Sequence, residues 1–502
     1  MSLLAIDMGS GSCKAVAFSE DGRTIAQRRC SYSPERHSSC TEIAPETFWQ
    51  TLRMVARGIG AEVATDPVEV LAISSHGETF VPVNAKQQAV GPAILNIDNR
   101  AVAESNWIAR TIGKRRLFEI TGLTAHAMYP LPKILWLREH QPDVFSSAAA
   151  FLALTTYLLT RMGLPGYVDY SLASRYLAFD IRKHQWSAEI LSTCKLAADN
   201  FPTPVPAGTV AGELTKAAAV DLGLKPGTVV VVGGHDQPCA ALGCGVLGPG
   251  RISASLGTYE CLVAASDVPA LNEGALAANL NSYCHVVPDQ YVTLAYFPSG
   301  IMVEWFLHMV YSASELAHSA VGELCTALEA RAPQGPTGLC VTPHLLGTCN
   351  PDFDTNATGV IVGLRPASGR SDLYKGILEG IACEFASMVE LLAQAAGGCR
   401  DIYVSGGGLG SRLGLELRAA LSGRQLHLMR CGEAACLGTA IVAGVAVGKY
   451  ASVAQAVEHV VHVSETIIPD AVTAERYRDQ MLQYRLLYSS LAPVRRAHVA
   501  RN

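Results

Sequence analysis

The sequence predicts an α/β protein of two related domains facing each other across a cleft, and three observations predict it. The chain has 502 residues, beyond the roughly 250–300 at which a single hydrophobic core stops growing. A strand–turn–strand opening at Leu3 returns at Arg251, half a chain later, as in an internal repeat. Each half also carries an apolar strand that runs through glycines into a helix, the grammar of open α/β sheets. The Gly248-Pro249-Gly250 link places the division between residues 1–246 and 247–502.

Taken in order, Leu3–Ile6, Cys13–Phe18 and Ile25–Tyr32 are apolar or alternating, and Gly9, Gly11 and Asp21-Gly22 supply the turns of a meander. Pro45 opens a helix on which Phe48, Leu52, Val55 and Ile59 recur at helical spacing. Val68–Ser74 reads as a buried strand that delivers Ser75-His76-Gly77-Glu78 into a loop. Helices are expected over 101–112, 132–139 and 146–160, before a strand at Val229–Val232. The second half runs as strand Arg251–Leu256, turn Gly257-Thr258 and strand Cys261–Ala264. Later come a long helix from Asp372 to Ala396, a strand Asp401–Val404, the triplet Gly406-Gly407-Gly408 and a further helix. Helices over 471–490 are expected to fold back as a cover.

Composition narrows the partners. Apolar residues make up 49% and charged residues 17% of the chain, and the net charge is −5. That is a folded protein without the basic, aromatic-interleaved stripe of a nucleic-acid binder or a membrane-surface binder. A small molecule is the expected partner. Fifteen cysteines, an odd number without CxxC pairs, fit a reducing cytoplasm better than a disulfide framework. No charged n-region with an apolar core opens the chain and no apolar run reaches membrane length, so neither a signal peptide nor a membrane span is expected.

Chemistry concentrates at strand ends. Val229-Val230-Val231-Val232-Gly233-Gly234-His235-Asp236-Gln237-Pro238 delivers Asp236 to a strand-to-helix corner, where such sheets open onto ligands. The two glycines admit a close neighbour and Pro238 suits a first helical turn; Asp236 fits equally a catalytic base or a helix N-cap. Asp7-Met8-Gly9-Ser10-Gly11-Ser12-Cys13-Lys14 combines a tight hairpin, hydroxyls and a cation, which is what a polyphosphate needs, with Asp7 as a water-mediated Mg²⁺ ligand; an ordinary Gly/Ser hairpin would look the same. Gly257-Thr258 offers a second such turn, and together the two point to a nucleotide. No GxxxxGK[ST] loop occurs, and Gly406-Gly407-Gly408-Leu409-Gly410 lacks the GxGxxG spacing.

These pieces in this order resemble the FGGY family of carbohydrate kinases, of the sugar kinase, Hsp70 and actin superfamily. One family signature is similar to Met128–His140, with Lys133 and Trp136, and another to Gly359–Leu364 followed by Asp372–Glu379, with Gly376 where Ala or Ser is usual. The resemblance implies two actin-like, ribonuclease H-like domains with ATP and sugar in the cleft. It implies Asp236 as base, Gly9, Ser10, Gly11, Ser12 and Lys14 in the first phosphate loop, and Gly257 and Thr258 in the second. Gly300, Glu304, Gly407 and Gly408 would wall the adenosine, and Asp169-Tyr170-Ser171-Leu172-Ala173-Ser174 resembles the family's Asp-x-Ser-x-Ala segment. Ser75, His76, Gly77, Glu78, Asp98, Asp236 and Gln237 would read the sugar.

On that side the chain departs from xylulokinase-like members. Ser74-Ser75 stand before His76-Gly77 in place of Gln-Met, and Asn96 stands where a Trp is frequent before Asp98-Asn99-Arg100. The expectation is Mg²⁺- and ATP-dependent phosphorylation of a ketopentose such as xylulose or ribulose, with polyols and other ketoses behind it. The competing class is an ATPase or sugar-responsive regulator of the same fold. A homodimer is the commonest closed assembly.

Overall fold

A computed structural model describes residues 2–37, 39–318 and 320–499. Two large sheets share one topology. The first runs in the order Val210–Glu213, Val229–His235, Val68–Ser75, Ser2–Met8, Ser12–Phe18 and Thr24–Ser31. The second runs Val463–Ile467, Gln425–Met429, Cys399–Ser405, Gly250–Leu256, Tyr259–Ser266, Tyr291–Pro298 and Asn281–Cys284. Strand for strand, the first six of the second sheet repeat the six of the first, with three parallel strands inside and antiparallel partners at both sides. The repeat expected from the two openings is therefore a repeat of whole domains.

Parallel register brings strand ends together. In the first sheet Asp7 lies opposite Ser74, and both Met8 and His235 lie opposite Ser75. Three segments separated in the sequence thus finish at one edge. Gly233 makes this possible, because a Cβ there would lie 2.2 Å from the Ile73 carbonyl oxygen.

The last parallel strand of each sheet feeds a helix, Asp236–Gly243 in the first domain and Ala434–Ala446 in the second. These helices cross with almost no side chain between them. A Cβ on Gly243 would sit 1.9 Å from the Ala434 carbonyl oxygen, and one on Gly438 would sit 1.8 Å from that of Cys239. Ala434–Ala446 also packs onto the first sheet, where Leu437, Ala440 and Ile441 join Leu3, Ala5, Val70 and Val231 in one buried cluster. The interface between the domains is therefore a hydrophobic core, built into both.

Two departures from the sequence expectation concern the first domain. Residues 146–160 are not one helix: Pro142–Ser147 is helical, Ala150–Ala153 is a strand, and Leu154–Arg161 is helical. The short apolar run Ala-Phe-Leu-Ala fits either state by periodicity, and tertiary pairing decides it, since Ala150–Ala153 pairs with Phe80–Val83 and Phe151 meets Phe80 edge-on. A helix at Lys114–Thr121 also escaped the sequence reading.

The C-terminal helices Ala471–Arg476 and Arg478–Ser490 do fold back, and a polar stripe holds them. The Tyr477 hydroxyl and Gln480 amide donate to buried Glu379, and Tyr484 donates to Glu384, both on helix Arg370–Ala395. No helix among the described residues is long and apolar enough to cross a membrane, and all fifteen cysteines are free thiols.

The crossing generates a stability prediction. Gly438→Ala forces a methyl against the backbone of a neighbouring helix and should cost about 1–3 kcal/mol or more, read as a lowered thermal midpoint. Gly432→Ala, where an added Cβ meets nothing within 4 Å, should leave the midpoint in place.

Candidate active site

Asp236 stands on the first turn of its helix, with His235 as the N-cap, so its carboxylate is not spent on capping. Its side chain keeps one-fifth of its surface open, enough to be reached from the cleft. Oδ1 accepts no hydrogen bond although it is buried. His235 Nε2 lies 3.1 Å away but forms no hydrogen bond with it, and burial drives the His235 imidazole far down in pKa, so no ion pair forms. Burial first, then the negative charges of Asp7 and Glu78, push the Asp236 carboxyl well above the usual carboxylate range. A buried acceptor without a donor is expensive, and the open fifth of the side chain lies on its other atoms, since Oδ1 itself is covered.

Two expected motifs position this corner. Asp169 caps the short helix Tyr170–Ser174, accepting from the backbone of Ser171 and Leu172. It also accepts from Ser171 Oγ at 2.5 Å, and Ser171 Oγ in turn accepts from the His235 backbone N–H at 2.9 Å. Gly234 lets this assembly close, because a Cβ there would meet Val286 at 2.3 Å and Ser171 Oγ at 3.1 Å. The glycines before Asp236 thus admit protein neighbours. Burial lifts Asp169 to about 6 despite its three donors.

At the adjacent strand end Asp7 accepts a 2.9 Å hydrogen bond from Ser74 Oγ, and burial raises its carboxyl to about 6. The hairpin beyond it is closed by Gly9 N–H to Ser12 O at 2.9 Å, and Ser10 and Gly11 lie exposed at its tip. Lys14 is not free: its ammonium pairs at 2.7 Å with Glu433, at the start of the second domain's interface helix. In the second sheet Gly257 and Thr258 form the equivalent turn, and Gly300 packs onto that turn, where a Cβ would lie 2.4 Å from Gly257 O. Gly406 and Gly408 press against Leu256 in the same way, whereas Gly407 is open and Glu304 is exposed.

The sugar side differs most from expectation. His76 donates from Nδ1 to Met8 O at 2.8 Å and accepts at Nε2 from Thr79 Oγ1 at 2.7 Å; the carbonyl and the lowered imidazole pKa settle that neutral tautomer. Neither nitrogen is left for a substrate. Asp98 is fully buried, with both oxygens taken by Arg100 and the Thr41 N–H. Arg100 also pairs with Glu42 and lies over Trp136, 4.8 Å from the ring centroid. Ser75 is buried and donates to its neighbour's carbonyl. Glu78 is neither solvated nor free, since both Nε and Nη2 of Arg175 reach its Oε1 at 2.5 Å. Gly77 is needed beside it: a Cβ would meet Arg175 and His235 at 3.0 Å.

What remains open is a set of acceptors. Gln237 Oε1 and Asn96 Oδ1, like Asp236 Oδ1, are buried without a donor. Asn96 also donates its backbone N–H to Thr79, which places it on the His76 chain. Sequence reasoning missed Arg175, Tyr129, Asn281 and Tyr283, which line this side together, because no motif links residues so far apart. Tyr129 lies inside the Met128–His140 signature and Arg175 directly follows the Asp169–Ser174 segment, which was the signal available.

The Asp169 assembly generates a kinetic prediction. Asp169→Ala removes a cap and releases Ser171, which should lower stability by about 0.5–2 kcal/mol and reduce kcat more than it changes the KM for nucleotide. Steady-state kinetics with a thermal melt checks both.

Comparison with known proteins accords with this geometry. The N-terminal domain model of the FGGY family of carbohydrate kinases matches residues 2–243, and its C-terminal domain model matches residues 252–447. Xylulose kinase of Escherichia coli K12 is 26% identical over 498 residues, covering 98% of this chain and 99% of that protein. Xylulose kinase of Bacillus subtilis is 24% identical over 491 residues, covering 97% and 96%. A ligand-bound xylulose kinase from Lactobacillus acidophilus superimposes with a TM-score of 0.89 at 19% identity, covering 98% of each chain. With both domain models matched in order and the strand-end carboxylates gathered at one cleft, this chain belongs to the FGGY family of carbohydrate kinases, phosphotransferases that act on an alcohol group.

Proposed function

We propose that this enzyme transfers the γ-phosphoryl group of ATP to a hydroxyl of a small neutral sugar, a ketopentose such as xylulose or ribulose. The observation that carries the reading is Asp236, partly open on the first turn of its helix, whose Oδ1, like Gln237 Oε1 and Asn96 Oδ1, is buried without a donor. Three acceptors without donors suit a polyhydroxylated molecule, which brings hydroxyl donors. A sugar acid suits the site poorly, because its cations are committed: Arg175 to Glu78, Arg100 to Asp98 and Glu42, and Lys133 to the Leu95 carbonyl. The curated relatives that act on xylulose favour a ketopentose within the neutral class.

In this reading the sugar hydroxyl donates to Asp236 and attacks the γ-phosphorus in line while Asp236 takes its proton. The raised pKa of Asp236 makes it a stronger base than an ordinary carboxylate. The backbone N–H groups at the tips of the two turns, those of Ser10, Gly11 and Thr258, hold the phosphates, since those of Gly9 and Gly257 close the turns, and Gly407 leaves room for the adenosine. Mg²⁺ fits the donor set: Asp7 faces Asp236 across the strand ends, two carboxylates with Lys14 already paired to Glu433, and Mg²⁺ is commonly held by one carboxylate, waters and substrate phosphates. When bound it would offset the charge of the phosphates. Domain closure keeps water from the γ-phosphoryl.

Two predictions follow from these roles. Asp236→Asn should lower kcat for sugar phosphorylation by about 10²–10⁴-fold and leave nucleotide affinity nearly unchanged; a coupled assay over ketoses and polyols with nucleotide titration measures both. Parent-like turnover by the variant would remove Asp236 as base, and sugar-independent ATP hydrolysis without sugar phosphate would favour an ATPase. The second concerns pH. The base must be ionised, and burial with its acidic neighbours holds its pKa up, so kcat/KM should fall on acidification at a pH well above the usual carboxylate range.

A further inference from the structure

We infer that Arg175 is an interdomain positioning residue: one buried guanidinium joins the Glu78 loop and the His235–Asp236 corner of the first domain to strand Asn281–Cys284 of the second. All three of its nitrogens are used. Nε and Nη2 bind Glu78 Oε1 at 2.5 Å, and Nη1 donates to Asn281 Oδ1 at 3.1 Å. An aromatic ring from each domain faces it, Tyr129 at 5.3 Å and Tyr283 at 4.8 Å. Each ring is tethered across the domains: the Tyr129 hydroxyl donates to Asn281 Oδ1 at 2.7 Å and the Tyr283 hydroxyl bonds His235 Nδ1 at 3.1 Å. Asn281 and Tyr283 are two residues apart on one strand and so share a face; that strand is the outermost of the second sheet.

The arrangement requires arginine. A planar fork can bind a carboxylate through two nitrogens, donate sideways with the third and still lie between two rings, whereas an ammonium cannot. Its side chain is only 2% exposed and that of Glu78 5%, so removing either one strands a buried charge. Glu78 is held at φ +63°, a left-handed conformation that a residue with a side chain keeps only when its surroundings impose it; the Arg175 pair is that imposition. Movement of the second domain against the first therefore acts on the Glu78 loop and, through Tyr283 and His235, on the residue before Asp236. The coupling is mechanical and stands without a substrate; its effect on turnover rests on the kinase reading above.

Two variants test it. Arg175→Lys keeps the charge and loses the fork, and the double variant Arg175→Met with Glu78→Gln removes both charges so that neither is stranded. In hydrogen–deuterium exchange of the unliganded protein, both should speed exchange about tenfold or more in residues 77–79 and in 281–284 together, with strand Val68–Ser75 unchanged. In kinetics, kcat for sugar phosphorylation should fall about 10–100-fold while KM for ATP stays within about twofold, and ATP hydrolysis per sugar phosphorylated should rise. Faster exchange in only one of the two segments, a parent-like kcat, or failure of both variants to fold would overturn the proposal, the last by making Arg175 a stability element. If the parent enzyme phosphorylates no sugar, the kinase reading fails, and the exchange result still judges the coupling.

Discussion

The backbone-to-backbone crossing of helices Asp236–Gly243 and Ala434–Ala446 is the constraint on which the rest of the molecule depends. Gly243 and Gly438 let each helix touch the other's carbonyls, and a contact without side chains has little freedom to slide. Each helix starts where a parallel strand ends, so the crossing brings the carboxyl edges of both sheets together. Asp236, on the first turn of one helix, and Glu433, just before the first turn of the other, inherit their positions from it. The Lys14–Glu433 pair across the domains is one consequence.

The electrostatics of the cleft follow from how its charges are matched. Around the sugar side each cation already has an anion or a carbonyl: Arg100 with Asp98 and Glu42, Arg175 with Glu78, Lys133 with Leu95 O. Burial pulls the Lys133 ammonium down to about 7, so even this cation is weakly held at neutral pH. Asp236 is the exception. Burial first, then the negative charges of Asp7 and Glu78, moves its pKa up against the smaller opposing pull of Arg175, and the adjacent His235 imidazole is held neutral. A cation committed to Asp236 would instead have lowered its pKa.

Several residues that motif reasoning selected as substrate readers are tied into the protein itself. His76, Ser75 and Asp98 spend their polar atoms on neighbouring backbone and side chains. They order the two loops that carry Glu78 and Asn96, one before strand Phe80–Val83 and one after Ala93–Ile94. The chemistry of a side chain shows what bonds it can make; its partner is decided by which other segments arrive beside it. The 146–160 region shows the same limit at the level of secondary structure, because Ala150–Ala153 is a strand only through pairing with Phe80–Val83.

Local chemistry sufficed for much of this protein. Periodicity and turn residues announced the meander, the duplicated opening, the long helix Arg370–Ala395 and the strand that presents Asp236, since these depend on neighbours a few residues away. The order of motifs was enough to place the family. The partner of Glu78, the occupation of His76 and Asp98, and the open acceptors on Asn96 and Gln237 were decided by tertiary structure alone. Each depends on segments tens to hundreds of residues apart meeting at one cleft, and a buried polar group's role is set by whether a complementary group reaches it.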